Sequence, residues 1–580
     1  MQKSRPKQLK VAIIGGSIAG LGMALLLARR GYRVVVHERD CRPPVAGPDE
    51  AFSTWDRQGV PQFRHSHIFL ARLTMLMRER FPDLLSLLRT AGAIEIPLTM
   101  AAPPELELGP RQKGDGELVL LAYRRAALEW ALLTAVRREP RIEIREGVLV
   151  TGLIGEAPKP ATGEPAHIRG LRFRELAASP SEAPEKAGIR WRTHATAAAT
   201  GPEKTTRAAI VIDASGRRAV TADWLVDLGA PPPEVETIPT GIFYFTRFYR
   251  LIGPPPRGLS TGLVGGDMGW IKLATFPGDN GTFSITVGTG IEDQPLKKLS
   301  EPAVFEAMLA AFPSIAPWRE PRVSQPLDGP STPVLVMGGL KNVARRFGNT
   351  RPSGFFALGD ALCHSNPIYG RGVTSALLSA TLLDDALAAF PNDDRGAGRA
   401  YAKSIADEVE PFWDAAARAD RFGAEARRQR NAVAEGADDS LLSRLLSPLE
   451  EARKTLVWLG GMFFEKGLEP AMRSDAQIYR TVMRVMNMLD DPRTILFTPE
   501  FLLGVLPHFA ESLFTGRKRT GFAGPSRAEG LAIVEQNATP TGKRKASARR
   551  YRPKSAPRAV EAAVPQPLRA SASVRPIRLA

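Results

Sequence analysis

At 580 residues the chain is long enough for two or three domains, and its 43% hydrophobic and 24% charged residues are typical of a globular protein. Its two cysteines, Cys41 and Cys363, exclude a disulfide framework and a cysteine-based zinc site, and they fit a reduced cytoplasmic setting. The net charge of +17 is uneven, because fifteen Lys or Arg and three Glu from Arg517 to Ala580 contribute +12 of it.

The basic C-terminal stretch, residues 516–580, is rich in Pro, Ala, Ser and Arg and cannot bury a core. Such composition predicts a disordered basic tail. A solvated extension is the simpler interpretation, and weak contact with nucleic acid or an anionic membrane surface is the alternative. No aromatic residues alternate with the basic ones, so no specific nucleic-acid site is predicted.

The N-terminus combines a basic start, MQKSRPKQLK, with an apolar stretch from Val11 to Ala28, as signal peptides do. Here the apolar stretch continues directly into a charged turn and a strand, with no small-residue cleavage site. No other run of 18 or more apolar residues occurs, so no transmembrane segment is expected. We therefore predict a cytoplasmic location.

The most informative stretch is VAIIGGSIAGLGMALLLARRGYRVVVHE, residues 11–38. An apolar run (Val11–Ile14) predicts a buried strand, and a glycine-rich turn then opens a helix that ends at Gly31. A second predicted strand, Tyr32–His37, completes a βαβ unit. This is the unit that binds dinucleotides, with the pyrophosphate at the start of the helix.

Two glycines of the turn have clear roles, because Gly15 permits the tight bend and Gly20 permits close packing of helix and strand. Ser17 replaces the remaining fingerprint glycine; its Cβ crowds a phosphate, but its hydroxyl can donate to one, and Gly16 supplies backbone freedom. Glu38 lies 23 residues after Gly15, where a ribose-binding acid is expected. A carboxylate there suits a free ribose 2′-hydroxyl and argues against a 2′-phosphate.

A polar turn that contains Arg64, His65 and His67 precedes a helix predicted from Ile68 to Thr90. Histidines at i and i+2 suggest a metal pair, but no nearby Asp, Glu or Cys completes a ligand set, so no metal is predicted. The other interpretation places Arg64 and its neighbours against a cofactor or an active site.

The middle of the chain predicts mostly strands. Residues 118–138 begin as a strand and become a helix, 142–150 form a strand, and 156–207 form a β-meander with a surface insertion. Another buried strand ends at Asp213. The most aromatic strand, 241–250, predicts sheet core, or alternatively one face that covers a substrate pocket. Alternation puts Phe243, Phe245 and Arg247 on one face, and Tyr244, Thr246 and Phe248 on the other.

A second strand-loop-helix device begins with the strand Phe355–Leu358. The carboxylate of Asp360 can accept hydrogen bonds from sugar-type hydroxyls. Gly370 and Gly372 let backbone amides and a helix start approach negative charge. Beyond residue 400 the chain is predicted helical, and its last amphipathic piece, 499–514, is assigned to the core, with membrane contact as the alternative.

These motifs resemble those of the FAD-dependent monooxygenases of the para-hydroxybenzoate hydroxylase type. Cys363 replaces the usual histidine of their second motif, and Thr374 replaces a common asparagine. Within that superfamily, GVPQFRHSH, residues 213–250 and NPIYGRG resemble a bacterial branch that includes epoxidases and hydroxylases of natural-product pathways. The similarity covers most of residues 8–515. The second-motif matches at full spacing are Gly359, Asp360, Pro367, Gly370 and Gly372.

The resemblance implies FAD as the cofactor, with NADH or NADPH as electron donor. It implies an oxygenase that inserts one oxygen atom from O2 into a secondary metabolite through a flavin C4a-hydroperoxide. The substrate-pocket candidates are His65, His67, Tyr244 and Arg247. The implied cofactor contacts are Gly15, Gly16, Ser17, Ala19, Gly20, Glu38, Arg39, Arg64, Arg124, Val148, Leu149, Asp360, Pro367, Gly370, Arg371, Gly372 and Val373.

The implied fold class is α/β, a Rossmann-like FAD-binding domain with an inserted mixed β-sheet substrate domain, a helical C-terminal region and the disordered basic tail. The implied boundaries are 8–92, 118–230 and 335–395 for the FAD-binding domain, 93–117 and 231–334 for the substrate domain, 396–515 for the helical region and 516–580 for the tail.

Two departures keep other functions open. The turn Asp213–Gly216 reads DASG where the family has Asp-Gly; similar turns in flavin halogenases and isoprenoid reductases favour supply of electrons by a separate flavin reductase. The stretch WIKLATFP at Trp270–Pro277 lacks the second Trp of the halogenase W-x-W-x-I-P segment, so halogenation ranks below oxygenation. An FAD-dependent reductase or dehydrogenase is a further alternative, and a non-enzymatic flavoprotein that binds through its tail is another.

Overall fold

The computed structural model describes residues 9–103, 105–176, 201–256, 263–327, 329, 333–348, 351–434, 467–495, 498–515 and 522–539. The surface insertion predicted within 156–207 falls largely on residues 177–200, outside this part, as do residues 540–580 of the predicted tail.

The secondary structure alternates strands and helices through most of the chain. The strands are β1 (Lys10–Ile14), β2 (Arg33–Glu38), β3 (Ile94–Pro97), β4 (Val119–Ala122), β5 (Ile142–Glu146), β6 (Val148–Glu156), β7 (His167–Glu175), β8 (Lys204–Arg207), β9 (Ile210–Asp213), β10 (Glu234–Pro239), β11 (Ile242–Leu251), β12 (Gly265–Asp267), β13 (Ile271–Pro277), β14 (Thr282–Gly290), β15 (Ser324–Pro326), β16 (Leu335–Met337), β17 (Lys341–Arg346), β18 (Phe355–Ala357) and β19 (Cys363–His364). The α-helices are α1 (Ile18–Arg29), α2 (Pro48–Thr54), α3 (Ala71–Arg80), α4 (Pro82–Thr90), α5 (Arg125–Arg138), α6 (Thr221–Asp227), α7 (Pro302–Ala310), α8 (Gly372–Ala389), α9 (Asp394–Glu408), α10 (Glu410–Ala434), α11 (Glu469–Ser474), α12 (Ala476–Met486), α13 (Pro492–Ile495), α14 (Pro499–Thr515) and α15 (Arg527–Asn537).

A parallel sheet in the order β18-β9-β1-β2-β5 forms the centre of the fold. Its strands are runs of Val and Ile that are buried on both faces, as parallel strands covered by helices must be. Because the strands are parallel, their carboxyl ends meet at one edge. That edge carries the turns that begin at Gly15, Glu38, Ala214 and Gly359, where α/β folds bind their ligands.

A second sheet, of six strands, lies in the middle of the chain, and its strand pairs are antiparallel. Its order is β12-β13-β14-β11-β15, with β16 also paired to β11. One of its faces, which includes Phe245, Tyr249, Ile285 and Val287, forms a hydrophobic core with α7. The opposite face carries Tyr244, Thr246 and Phe248. The alternation predicted for this strand is therefore present. The smaller sheets are β6-β7-β8, β10-β17-β19 and β3-β4.

Two predicted elements are each divided in the structure. The helix predicted from Ile68 to Thr90 is two helices, α3 and α4, because Pro82 cannot continue the first one. The strand predicted from Ile142 to Val150 is also two, because Gly147 adopts a φ of +71° and redirects the chain. As a result β5 ends the parallel sheet, and β6 begins an antiparallel one.

The predicted start of the tail, residue 516, is too early. Residues 527–537 form α15, which begins with a complete capping box between Ser526 and Glu529. Val534 on this helix is only 2% exposed and joins the core of the six-stranded region, together with Phe522 and Leu531. This helix has no clear apolar face in its sequence, and the chain around it is basic, so composition alone assigned it to the tail.

Among the described residues, the single helix with the length and apolar composition to cross a membrane is α8. Its apolar stretch is 67% buried within the protein, as expected of a core helix. The division of the chain into the domains given above stays a prediction.

Candidate active site

The turn after β1 accepts only glycine at two positions. Gly15 adopts a φ of +100°, and a Cβ there would lie 2.4 Å from the carbonyl oxygen of Ala214. A Cβ on Gly20 would lie 1.9 Å from the carbonyl oxygen of Gly15. The start of α1 is thereby held directly against the carboxyl end of β1.

Ser17 is the N-cap of α1, yet its side chain does not cap the helix, and the first turn contains no acid. Its hydroxyl instead donates to Glu129 Oε1 (3.1 Å) and accepts from Arg125 Nη2 (3.0 Å). The expectation that this hydroxyl donates to a phosphate is therefore wrong for this arrangement. The backbone amides of the first turn remain available to an anion.

Glu38, at the end of β2, is 6% exposed and accepts hydrogen bonds from the backbone N–H groups of Gly16 (2.7 Å) and Asp40 (2.8 Å). Burial raises the pKa of this carboxyl, but the nearby charges of Arg57 and Arg42 and the two N–H donors outweigh burial and lower the pKa. Glu38 is therefore ionised, and a carboxylate retains acceptor capacity for ribose hydroxyls beyond two N–H partners.

A buried ionic network that the sequence analysis missed surrounds this turn. Arg57 donates to Glu129 Oε2 and to Asp40 Oδ2, both at 3.0 Å, and Arg42 donates to the carbonyl oxygen of Gly16 at 2.6 Å. Each of these arginines keeps one buried Nη2 that has no hydrogen-bond partner among the described residues. The signal that could have found the network is Glu129, an acid four residues after an arginine in an otherwise apolar helix.

The resemblance implied a flavin contact for Arg124, but the arginine that lies beside the start of α1 is its neighbour Arg125. Arg124 is buried between Asp279, whose Oδ2 its Nη2 reaches at 2.5 Å, and Asp49. Its ion pairs hold α5 to α2 and to the β13–β14 turn. Arg125, and not Arg124, bonds Ser17 at the start of α1, and the flavin contact of Arg124 stays a prediction.

The second motif lies next to the first. A Cβ on Gly359, whose φ is +59°, would lie 2.9 Å from the Cβ of Ala19 in α1. Asp360 follows at the carboxyl edge of the sheet, only partly buried, and pairs with Arg217 Nε at 3.1 Å. Arg217, in the turn after β9, was not predicted. The two glycine turns that the sequence separates by more than 300 residues are thus neighbours in space.

Like the start of α1, the start of α8 has no side-chain cap and no acid in its first turn. Gly370, at a φ of +66°, turns the chain into the helix, and Pro367 begins the short 3-10 turn before it. Arg371 donates to the carbonyl oxygen of Phe412 at 2.6 Å, and burial lowers its pKa to about 10. The buried Nε of Arg371 and Oγ1 of Thr374 have no hydrogen-bond partner in the described part of the chain.

The segment 65–70 begins with three polar residues, His65, Ser66 and His67, and connects the start of α8 to the six-stranded sheet. A Cβ on Gly370 would lie within 3.5–3.6 Å of Leu70 and Ile68. On the other side, His65 Nδ1 lies 3.1 Å from Thr246 Oγ1, and Ser66 Oγ lies 2.6 Å from both Ser284 Oγ and Thr286 Oγ1. Segment 65–70 therefore joins the α8 start to the hydroxyl-bearing face of the six-stranded sheet.

The two histidines of this segment are uncharged at neutral pH. Burial lowers the pKa of His65 to about 4. Burial, together with the charge of Arg125, lowers the pKa of His67 to about 3. His67 Nδ1 lies 2.9 Å from the carbonyl oxygen of His65, a separation that lets this ring nitrogen donate. The segment thus presents neutral donors and acceptors.

Acid should destabilise the protein through these imidazoles. Unfolded histidine takes up a proton below about pH 6.5, whereas folded His65 resists protonation until about pH 4, so stability falls between those values as the pH falls. We expect the free energy of unfolding, from denaturant titrations, to fall less between pH 7 and pH 4 in His65→Gln than in the wild type, with a difference of at most about 3 kcal/mol. An identical pH dependence in both proteins would contradict a buried neutral His65.

Tyr244 and Arg247 lie on opposite faces of β11. The hydroxyl of Tyr244 donates to Asn366 Oδ1 in the loop before α8, and burial raises its pKa above the usual range. Arg247 is 2% exposed on the other face and pairs with Glu306 of α7 at 2.7 Å. The prediction that both line one pocket is therefore wrong, and Arg247 belongs to the core behind the sheet.

The remaining predicted contacts are spread around the first motif. Arg64 donates to the carbonyl oxygens of Phe52 (2.8 Å) and Trp55 (3.0 Å), so it caps the C-terminus of α2. Arg39 lies beside Asp40, with Nε to Oδ1 at 3.6 Å. The predicted contacts Val148 and Leu149 are the first two residues of β6, just after the carboxyl end of β5.

These features fit an elongated anionic cofactor such as FAD. Both helix starts offer unpaired amides, Glu38 and Asp360 offer acceptors at separate points, and unpartnered buried nitrogens accompany each helix start. Within the described ranges, no three His, Cys, Asp or Glu side chains are grouped so as to hold a metal ion.

At the level of sequence, the chain is similar to a mycobacterial protein. No family model matches the chain. Protein Rv3254 of Mycobacterium tuberculosis is 27% identical over 419 residues, which cover 69% of this chain and 78% of that protein.

Solved structures with a similar fold are flavoproteins at low sequence identity. The chain is similar to a flavoprotein/dehydrogenase from Cytophaga hutchinsonii, with 14% identity, 87% of this chain and 100% of that chain covered and a TM-score of 0.50. The myxobacterial halogenase CndH has 16% identity, 91% and 99% coverage and a TM-score of 0.48. PqsL of Pseudomonas aeruginosa, described as a probable FAD-dependent monooxygenase, has 16% identity, 78% and 100% coverage and a TM-score of 0.45. The likeness to the Cytophaga flavoprotein confirms the predicted Rossmann-like α/β fold.

Proposed function

We propose that the protein is an FAD-dependent monooxygenase that inserts one oxygen atom from O2 into an organic substrate, by hydroxylation or epoxidation. The observation that carries this proposal is the meeting of two uncapped helix starts, α1 and α8, beside the carboxyl edge of one parallel sheet. One start suits a pyrophosphate, and the other suits the edge of a flavin ring that becomes negative on reduction.

In this proposal each element of the site holds one part of FAD. Glu38 accepts from the adenosine ribose, the α1 start and Arg125 bind the pyrophosphate, and Asp360 accepts from the ribityl hydroxyls. The backbone between Gly370 and Gly372 contacts the flavin. Bound FAD, once reduced, supplies the activation of O2.

The chain itself supplies orientation and a water-poor surrounding at the reacting end. Phe69 stacks on Tyr123 with ring centroids 4.0 Å apart, and Phe52 packs on Phe248 at 4.9 Å. Oxygen transfer needs such exclusion of water, and it needs no protein nucleophile. The ring of His67 stacks on Phe69 with centroids 6.0 Å apart, and His65 lies beside the hydroxyl of Thr246 on β11. We propose that a secondary metabolite binds beside these neutral histidines.

The oxygenase proposal is tested by the fate of the oxygen atoms. The purified protein should be yellow and show an oxidised flavin spectrum. Supplied with 18O2, reductant and a panel of electron-rich aromatic and alkene substrates, it should yield a product with one 18O atom, and FAD-depleted protein should yield none. Turnover without label in the product would overturn the oxygenase and favour the reductase or dehydrogenase alternative. Product that forms only with bromide or chloride would favour a halogenase.

A halogenase remains the second candidate because halogenases share this fold, but Trp270 argues against it. A Cβ on Gly530 would lie 2.2 Å from the indole of Trp270, so this tryptophan packs under α15 in the core. The segment that comes nearest to the halogenase motif is thereby used for packing.

We also propose that a separate flavin reductase supplies the electrons. The buried carboxylate of Asp213 accepts from the backbone N–H of Ser215 at 2.9 Å and from the hydroxyl of Thr221, so it is committed to its own turn. Oxidation of NADH or NADPH should therefore require an added flavin reductase. Rapid oxidation of either nucleotide by the protein alone would contradict this. A cytoplasmic location stays part of the proposal.

A further inference from the structure

Glu129 connects Ser17 at the start of α1 to two arginines, Arg57 and Arg125, although it lies on a different helix. It belongs to the first turns of α5 and is 0% exposed. Its Oε1 accepts from Arg125 Nε (2.9 Å) and from the hydroxyl of Ser17 (3.1 Å), and its Oε2 accepts from Arg57 Nε (3.0 Å). Three donors thus converge on one buried carboxylate.

The arrangement fixes Arg125 at two points. Its Nε is held by Glu129, and its Nη2 donates to the Ser17 hydroxyl at 3.0 Å, so the planar guanidinium cannot rotate away from the helix start. Ser17 is in turn fixed by its own donation to Glu129. The serine that replaces a fingerprint glycine is therefore part of a triad with Arg125 and Glu129.

We propose that Glu129 is a positioning residue for the anionic part of the cofactor, acting through Arg125 and Ser17. This inference rests on the proposed function, because it assumes that an anion binds at the start of α1. A cation held in place before binding costs less ordering when the ligand arrives, so affinity is raised without direct contact by Glu129. The unpartnered Nη2 atoms of Arg42 and Arg57 in the same buried network indicate that a ligand completes its hydrogen bonds.

The charge state of Glu129 is consistent with this role. Burial raises its pKa, but the charges of Arg57, Arg125 and Arg42 outweigh burial and lower the pKa to about 2. The carboxylate is therefore ionised at neutral pH.

The test measures FAD affinity by quenching of flavin fluorescence in the full-length apoprotein, and melting temperature alongside. Glu129→Gln keeps the shape but removes the charge, and should weaken FAD binding by about 10- to 100-fold, the value of a charged hydrogen bond. Ser17→Ala should weaken binding by about 3- to 10-fold with little change in melting temperature. The double variant should bind like Glu129→Gln alone, because the hydroxyl acts through the carboxylate.

The matched control is Asp384→Asn, which breaks another buried Arg–carboxylate cluster. Asp384 is held by Arg30 and Arg80 near the other end of α8, about 18 Å along the helix from its start. This variant should lower the melting temperature and leave FAD affinity within about twofold, because its cluster lies outside the site.

The outcomes separate the two claims. If the wild-type apoprotein does not bind FAD, the proposed function fails. If the wild type binds FAD but Ser17→Ala and Glu129→Gln bind equally well, only the positioning role is overturned. An equal loss of affinity in Asp384→Asn would also overturn it, because any weakened core would then have the same effect. Should Glu129→Gln not fold, the Ser17→Ala result decides alone.

Discussion

Gly20→Ala is expected to abolish FAD binding and to destabilise the protein by about 3 kcal/mol or more. The new Cβ would lie 1.9 Å from the carbonyl oxygen of Gly15, and a backbone carbonyl at the end of a buried strand cannot move aside. The helix start must then separate from β1, which removes the amides that we assign to the pyrophosphate. Denaturant unfolding and FAD titration measure the two effects.

The control for this variant is Gly504→Ala in α14. It makes the same change in a helix, but the nearest atom to the new Cβ is Ile478 Cδ1 at an ordinary 3.4 Å. Alanine favours helix over glycine, so stability should be unchanged or raised by up to about 1 kcal/mol. Retention of normal stability by Gly20→Ala would show that the close contact between α1 and β1 is not present.

Asp360→Ala should lose FAD while it keeps the fold. Asp360 is only partly buried and its side chain pairs with Arg217, so its removal should cost the apoprotein no more than about 1 kcal/mol. FAD affinity should fall by about 10- to 100-fold, because a carboxylate that accepts from ribityl hydroxyls makes charged hydrogen bonds. The protein should purify pale, and fluorescence titration should give the dissociation constant.

Asp83→Ala serves as the comparison, because Asp83 also pairs with an arginine, Arg29 at 2.8 Å, but this pair is exposed and lies at the far end of α1. It should bind FAD as the wild type does. Full FAD occupancy and an unchanged flavin spectrum in Asp360→Ala would refute the assigned role of Asp360.

The fold of the nucleotide-binding part was predictable because its signals are local. A Val-rich strand, a glycine turn, a helix that ends at Gly31 and a second strand that ends at Glu38 each depend on neighbours within about ten residues. The structure has these elements within a few residues of their predicted bounds. The second glycine turn was predictable for the same reason.

The composition of the site was less predictable, because it depends on contacts between distant segments. Arg124 and Arg125 are adjacent at the start of α5. The conformation of the turn before the helix determines that Arg124 pairs with Asp279 and that Arg125 bonds Ser17. Strand alternation separated Arg247 from Tyr244 correctly. Strand alternation could not reveal which face of β11 is turned toward the candidate site, because both faces of this strand are buried.

The loop before α8 illustrates a further limit. Asn366 accepts from Tyr244 of β11 and donates to Asp420 of α10 at 2.9 Å, so one amide links three separate segments. Strand alternation gives the face of Tyr244, and Asn366 belongs to the stretch NPIYGRG, but no spacing pattern relates either residue to Asp420. A buried polar network of this kind becomes visible only when the elements are packed together.

The position of α15 near the C-terminal end of the sequence has a consequence for folding during translation. Strands β11 to β16 and α7 are complete by residue 337, but the part of their core beside Trp270 and Phe312 is not covered until Gly524 and α15 have been synthesised. That interval is about 200 residues, or roughly 10 to 40 s on the ribosome. Nascent chains therefore expose this surface late in translation, and prematurely terminated products that lack α15 should be prone to aggregation and chaperone capture.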